Sequence, residues 1–387
     1  MDSLHHDMAK ELFVKDIRKV AATALAATVL LVTAGCASDP GSSSGETPAS
    51  AELTELISAA QAEGELTFYG DANETSLQQW TQGFTDEYGI SVNVLRLPGS
   101  QLAQRFEQEQ AAGQAQADIF SIADRVSMDK MVDAGYIAEY TPAGADLYPA
   151  DQSEPGYYYP LQNGYFQTIA YNTSTLSADD IEAIQADPVK AAGDPKYSGK
   201  VGINMPQSSQ QIAALYYDWT EGDASGTYGW PALEAIAANK PLIQSSATLV
   251  QSLVQGEVSI AVGITDSLEF SYVQQGAPIQ FVYPTPTVGG YFSDAIVASA
   301  PHPNAAKLFM EWASTPAANE LYTQITGTAP DNSEVEDDRD IVNQDWYTAP
   351  DTSQVWFDFI SDPAFLEASS ADGDFLQQWN TVFGYSG

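Results

Sequence analysis

The chain has one cysteine, Cys36, in 387 residues, so it cannot form an internal disulfide. A body of this size does not need one, because a large apolar core stands without covalent staples. Basic residues are scarce: 14 Lys and Arg stand against 52 Asp and Glu, a formal net charge of −38. A nucleic-acid backbone demands a basic face, so that class of partner is excluded. The histidines are His5, His6 and His302, and none lies at a metal-ligand spacing. No segment carries the run of about 20 apolar residues that a membrane-spanning helix needs. The sequence also lacks a Gly-x-Ser-x-Gly elbow, a His-Glu-x-x-His pair and a phosphate-binding loop. A glycosidase built on two carboxylates is harder to exclude in so acidic a chain.

The N-terminus is informative. Lys15, Arg18 and Lys19 precede the apolar stretch Val20–Val32, which has the length and flanking charge of a secretory signal core. It runs into Leu31-Val-Thr-Ala-Gly-Cys36. The Ala34-Gly35-Cys36 step resembles a bacterial lipobox, with Thr33 where that pattern usually carries Leu. The resemblance implies cleavage before Cys36 and acylation of its sulfur. The next stretch, through Ser50, is rich in Gly, Ser and Pro and has no large apolar side chain. Such composition makes a flexible tether. The expected organisation is a signal peptide over 1–35 and a lipid-anchored linker over 36–51. Four basic and four acidic residues precede Cys36, so the remainder keeps the whole acidic excess.

The body from residue 52 is too long for one small core and is expected to form two lobes. Short β-rich runs alternate with helical patterns. Leu53, Leu56, Ile57 and Ala60 share a helical face that ends at Gly64. Strands are expected at Glu65–Tyr69, Ile90–Leu97 and Ala117–Ile122, with helices over Thr75–Tyr88, from Gly99 through Phe106, and over Val126–Ala134. A second set of strands is expected at Thr168–Tyr171, Gly199–Asn204, Pro241–Ile243, Val258–Val262, Ile279–Tyr283 and Ser293–Ala298. Helices are expected over Ser208–Trp219, Leu249–Val254, Asn304–Thr315 and Pro316–Gln324. Strands and helices at this spacing indicate an α/β fold with a central sheet in each lobe. The expected boundaries are lobe one over 52–160, lobe two over 161–285, and a return to lobe one with C-terminal helices over 286–387. Two crossings make a hinge, and a ligand cleft follows at the lobe interface.

Several stretches together resemble the solute-binding proteins of ABC importers with the type II periplasmic-binding fold, in the branch of ferric-iron and phosphonate binders. They are Leu66-Thr-Phe-Tyr-Gly70, Ala117-Asp-Ile-Phe-Ser-Ile-Ala-Asp124, Met131–Ile137, Ala170-Tyr-Asn172, Gln255–Gly263, Ala277–Pro284 and Pro303–Trp312. Their order and spacing carry the resemblance over roughly residues 65–330. It implies a protein that binds and does not catalyse, with a permease and an ATPase as partners. It also implies strand ends and helix N-termini gathered at the cleft, where unpaired N–H groups face a solute.

Five loops are candidate ligand contacts. Asp71, Asn73 and Glu74 follow the first strand, and Ser100 opens a helix. Asp124 and Arg125 follow the third strand; Gln207, Ser208 and Ser209 precede a lobe-two helix; Thr265 and Asp266 follow a lobe-two strand. Asn73, Ser100 and the Ser208 loop read equally as helix caps, and Arg125 as a surface ion pair. In the iron-binding branch, the stretch matching Thr265-Asp266-Ser267 carries adjacent tyrosines. This chain departs from that pattern. Tyr216 and Tyr217 fall inside a helix and read as core packing. Tyr157, Tyr158, Tyr159, Tyr283 and Tyr291 flank the crossings, where they pack the hinge or stack on a solute.

The expectation is a monomeric importer component at the outer face of the cytoplasmic membrane, capturing a small polar solute without a cofactor or a resident metal. The alternatives are a ferric-iron binder of the same family, a surface-anchored hydrolase and a sensory binding protein.

Overall fold

The structure is a computed structural model, and it describes residues 48–350, Phe359 and residues 361–386. The expected signal segment, Cys36 and most of the tether lie outside the described residues. Among the described residues no helix is long and apolar enough to cross a membrane.

Among the described residues eleven strands form two sheets. The first contains β1 (Glu65–Gly70), β2 (Ser91–Arg96), β3 (Ile119–Ile122), β4 (Tyr158–Tyr159) and β11 (Ser293–Ile296), in the order β2-β1-β3-β11-β4. β1 pairs in parallel with β2 and β3, whereas β11 runs antiparallel to β3 and β4. The second contains β5 (Tyr165–Asn172), β6 (Val201–Asn204), β7 (Leu242–Gln244), β8 (Ile260–Thr265), β9 (Ile279–Val282) and β10 (Gly289–Gly290). Its order is β10-β5-β8-β6-β7, with β9 also paired to β5. Interior strands of each sheet are covered on both faces: β3 and β6 are buried at every position. That is the pattern of strands covered by helices on both sides.

The chain passes between the sheets at residues 160–164 and again at residues 291–292. Helices Pro303–Ala313 and Pro316–Thr326 then pack on the first sheet's helices. There Trp80, fully buried, donates its indole N–H to Ala318 O at 2.9 Å and meets Phe309 and Tyr322 edge to face. Such aromatic pairs add to the area they bury. The C-terminal segment crosses once more. Helices Pro363–Ala368 and Asp374–Phe383, read from sequence only as following the return to lobe one, pack on helix Gln210–Thr220 of the second sheet. Trp379 stacks on Tyr216 at 6.3 Å, and Phe365 and Phe375 meet the ring of Tyr217. The tyrosine pair is therefore packing, as its helical position indicated.

His302 is structural too. Its ring Nδ1 lies 3.0 Å from the buried Asp118 carboxylate, which also accepts the Thr67 and His302 backbone N–H groups. In β8, Gly263 has φ +80° beside a register irregularity, and a Cβ there would lie 2.8 Å from the Tyr216 hydroxyl. Only glycine permits both the backbone and that approach.

Candidate functional site

A cleft of about 1060 Å³ opens between the two sheets, walled by strand-to-helix loops from both. The local reason is sequence chemistry. On the first sheet, β1 ends at Gly70 and the chain turns through Asp71 and Ala72 to Asn73, whose side chain caps helix Glu74–Tyr88 by accepting the Ser76 N–H at 3.1 Å. β3 ends at Ile122 and Asp124 caps helix Arg125–Asp133, accepting from the Ser127 N–H and its hydroxyl. Helix Gly99–Ala111 follows Pro98, which supplies no side-chain cap, and its first two residues, Gly99 and Ser100, line the cleft. On the second sheet Ser209 caps helix Gln210–Thr220 through the Ile212 N–H, and helix Asp266–Val273 begins after Thr265 without a side-chain cap.

Asp71 is the most constrained polar group on the wall. Its carboxylate accepts the Ala123 N–H at 3.1 Å, which ties the loop after β1 to the loop after β3. A Cβ on Gly99 would lie 2.7 Å from its Oδ2, so glycine is required for the carboxylate to sit there. One edge of Asp71 stays open to the cleft while protein surrounds the rest. Desolvation pushes its carboxyl up to about 7, against the pull of the Ala123 N–H and Arg96. Arg96 also lines the cleft, and its guanidinium donates to the carbonyls of Asp71 and Ala72, both at 3.3 Å.

The floor is aromatic and amide-rich. Tyr165 tilts against Phe292 with ring centroids 5.2 Å apart, and its hydroxyl accepts from Gln211. Burial holds the phenols of Tyr165 and Tyr322 above their ordinary value, so both stay neutral. Tyr322 donates to Gln162 Oε1 at 3.0 Å. Gln162 in turn donates to Ser121 and to Asp294, a fully buried carboxylate that also accepts the Leu161 N–H. Asn163 bridges the same crossing to helix Pro316–Thr326, donating to Thr323 Oγ1 and accepting from Asn319, both at 2.7 Å.

Of the residues expected from sequence, Asp71, Asn73, Ser100, Asp124, Ser208, Ser209 and Thr265 line this cleft together. Ser100 is the second residue of its helix and caps nothing, whereas Asn73, Asp124 and Ser209 do both jobs. Four expected residues do not line it. Glu74 points along its own helix and accepts from Gln78. Arg125 turns away to donate to the Tyr158 hydroxyl and the Asp151 carbonyl, both at 2.8 Å. Gln207 donates to Asn380 on a C-terminal helix. Asp266 lies beneath the wall, accepting from Phe166 N–H, Ser267 N–H and the Tyr283 hydroxyl. The hinge tyrosines 157, 158, 159, 283 and 291 also stay out of the cleft.

Sequence reasoning missed Arg96, Asn163, Tyr165, Phe292 and Tyr322. Arg96 closes an alternating strand, and the last basic residue before the Pro98-Gly99 turn was a readable signal. The others converge only through the crossings, which no local pattern encodes.

The sequence model of the bacterial extracellular solute-binding protein family matches residues 71–320 of this chain. Solved structures share the fold. A substrate-binding protein of an ABC transporter from Agrobacterium tumefaciens is similar at TM-score 0.61 and 14% identity, covering 85% of this chain and 96% of that one. The iron-bound HitA from Pseudomonas aeruginosa is similar at TM-score 0.59 and 17% identity, over 83% of this chain and 98% of that one. The periplasmic binding protein AfuA from Actinobacillus pleuropneumoniae, solved with fructose-6-phosphate, is similar at TM-score 0.55 and 17% identity, over 84% and 99%.

Proposed function

The chain belongs to the bacterial extracellular solute-binding protein family, and from that premise we propose that it is the capture component of an ABC-type importer, closing two lobes on one small polar solute and presenting it to a permease and its ATPase. One observation carries this reading: loops from both sheets, together with the residues of the first crossing, wall a single cleft. Closure about the crossings would change the surface that a permease meets. The lobes are taken as 52–160 and 161–285, with the chain returning to lobe one from 286.

An organic solute is favoured over ferric iron. The stretch Thr265-Asp266-Ser267 offers no tyrosine. Nor do any three His, Cys, Asp or Glu among the described residues cluster in a way that fits a metal ion. The contact set proposed from sequence is Asp71, Asn73, Glu74, Ser100, Asp124, Arg125, Gln207, Ser208, Ser209, Thr265 and Asp266; those lining the cleft are its core.

We further propose that Cys36 carries a lipid anchor on the outer face of the cytoplasmic membrane and that the protein works as a monomer. Stable anchoring takes two acyl signals or more. Cys36→Ser is expected to release the protein from the membrane fraction into the medium; retention of the variant on the membrane overturns the anchor.

The capture reading is tested by thermal shift of the full-length protein in detergent against amines, sugars, organic acids, phosphonates and ferric salts. A ligand at about 100 times its Kd stabilises by about 2.7 kcal/mol. Hydrolysis of a panel member without saturable binding overturns the reading.

A further inference from the structure

The proposed capture site leaves the solute's chemistry open, and the wall of the cleft narrows it. We propose that the solute carries a protonated amine, which pairs with the Asp71 carboxylate and lies against the rings of Tyr165 and Phe292. This inference rests on the capture reading and deepens it.

Three observations converge. The first is position. Asp71 is clamped by the Ala123 N–H, and Gly99 lets its Oδ2 reach the cleft, so the carboxylate is set before any solute arrives. An acceptor fixed in advance loses little freedom on binding. The second is the state of its neighbours. Among the described residues the charged side chains lining the cleft are Asp71, Asp124 and Arg96. Arg96 donates from Nε and Nη2 to the backbone carbonyls of Ala72 and Asp71, and its charge partly offsets the desolvation of the Asp71 carboxyl. The oxygens of Asp124 are engaged by Ser127. Among the described residues Asp71 therefore meets no ammonium or guanidinium in a hydrogen-bonded pair, although it is largely removed from water. A carboxylate in that condition gains most from a cation brought in by the solute. The cost of the desolvation that pushes its carboxyl up to about 7 is offset by the same pairing.

The third observation is the floor. Tyr165 and Tyr322 both feel the charge of Asp71, and Phe292 tilts against Tyr165. Aromatic faces beside a carboxylate stabilise an ammonium and its apolar stem together. The opposite wall supplies Ser208, Ser209, Thr265 and Ser267, hydroxyls suited to a second polar end of the same solute.

The test is isothermal titration of the full-length protein in detergent. The probes are 1,4-diaminobutane, ethanolamine and choline, their uncharged counterpart 1,4-butanediol, and glucose, citrate and inorganic phosphate. At least one amine is expected to bind saturably, at least tenfold more tightly than 1,4-butanediol. Asp71→Asn is expected to weaken that amine tenfold or more while leaving the unliganded melting temperature near that of the parent. If Asp71→Asn does not fold, the amine-to-diol comparison on the unaltered protein decides alone. Saturable binding of glucose, citrate or phosphate with no amine response overturns the amine proposal and leaves the capture reading standing. Equal amine affinity in a folded Asp71→Asn variant overturns it as well. Silence from every class overturns both.

Discussion

Asp294 and Asp331 are carboxylates that hold the backbone where the chain passes between the sheets. Asp294 accepts the Leu161 N–H at 3.1 Å, and Asp331 accepts the N–H of Gly164. Desolvation pushes the first from 3.8 up to about 6 and the second up to about 7. Asp331 also feels Asp266, which raises it, and Arg339, which lowers it. An acid held above its ordinary value binds more protons folded than unfolded across the interval between the two values. Stability from this source is thus full below about pH 4 and declines as pH rises, to about 6 for Asp294 and about 7 for Asp331. At neutral pH, relative to acid, Asp294 then weakens the fold by up to about 3 kcal/mol and Asp331 by up to about 4 kcal/mol. The expected outcome is a melting temperature higher at pH 5 than at pH 8. Asp331→Asn keeps an acceptor for Gly164 and removes the titration, so it should lose part of that difference. An unchanged slope in this variant would assign the effect elsewhere. Glu269 adds a simpler case. It is fully buried, accepts from Thr168 at 2.6 Å, leaves Oε2 without a partner, and is pushed well above its ordinary value. Burial favours its neutral form, so Glu269→Gln should change stability by less than about 1 kcal/mol in denaturant unfolding; a loss of several kcal/mol would mean the carboxylate is ionised.

Elements announced by hydrophobic period and turn residues were legible. The strands at Leu66–Phe68, Ile119–Ile122 and Val201–Asn204 lie where alternating or continuous apolar runs place them, because a strand buried on both faces needs such a run. Elements whose stability comes from distant partners were not. β4 is two tyrosines held by β11, and β10 is two glycines held by β5, so neither has a pattern of its own. Helix Ala178–Ala186 did carry a signal: Ser177 and Asp180 form a capping box. The cleft follows the same division. Loops after strands could be named from sequence, whereas Tyr165, Phe292 and Tyr322 meet only once the crossings are made. The C-terminal helices are the clearest case of tertiary placement. Trp379 is fully buried, stacked on Tyr216 and on Phe383 at 4.4 Å. Trp379→Ala should therefore cost about 3–5 kcal/mol, read as a lower denaturant midpoint. A loss below about 1 kcal/mol would mean that this helix does not dock on the second sheet in solution.

At the scale of the whole molecule, the acidic excess and the cleft act on each other. A formal charge of −38 is carried by a chain with only 14 basic residues, so most surface carboxylates find no partner of opposite sign. Compaction brings those charges together, and self-repulsion opposes the folded state more than the expanded one. Salt shortens the reach of that repulsion from about 30 Å at 0.01 M to about 3 Å at 1 M. Melting temperature should therefore rise with sodium chloride across this range, and a fall would mean that attractive ion pairs dominate. Among the described residues the ion pairs of Arg105 with Glu109 and Lys196 with Asp180 are surface pairs of small worth. Closing two acidic lobes meets the same repulsion, but a cationic solute adds a second effect of opposite sign. Salt screens the long-range attraction that speeds its arrival, so the association rate should fall as melting temperature rises. For a neutral solute only the first effect operates, and association should hold steady or quicken. Stopped-flow rates measured beside melting curves over one salt series thus separate the two kinds of guest without knowing its identity, and a rate that does not fall with salt would count against a charged one.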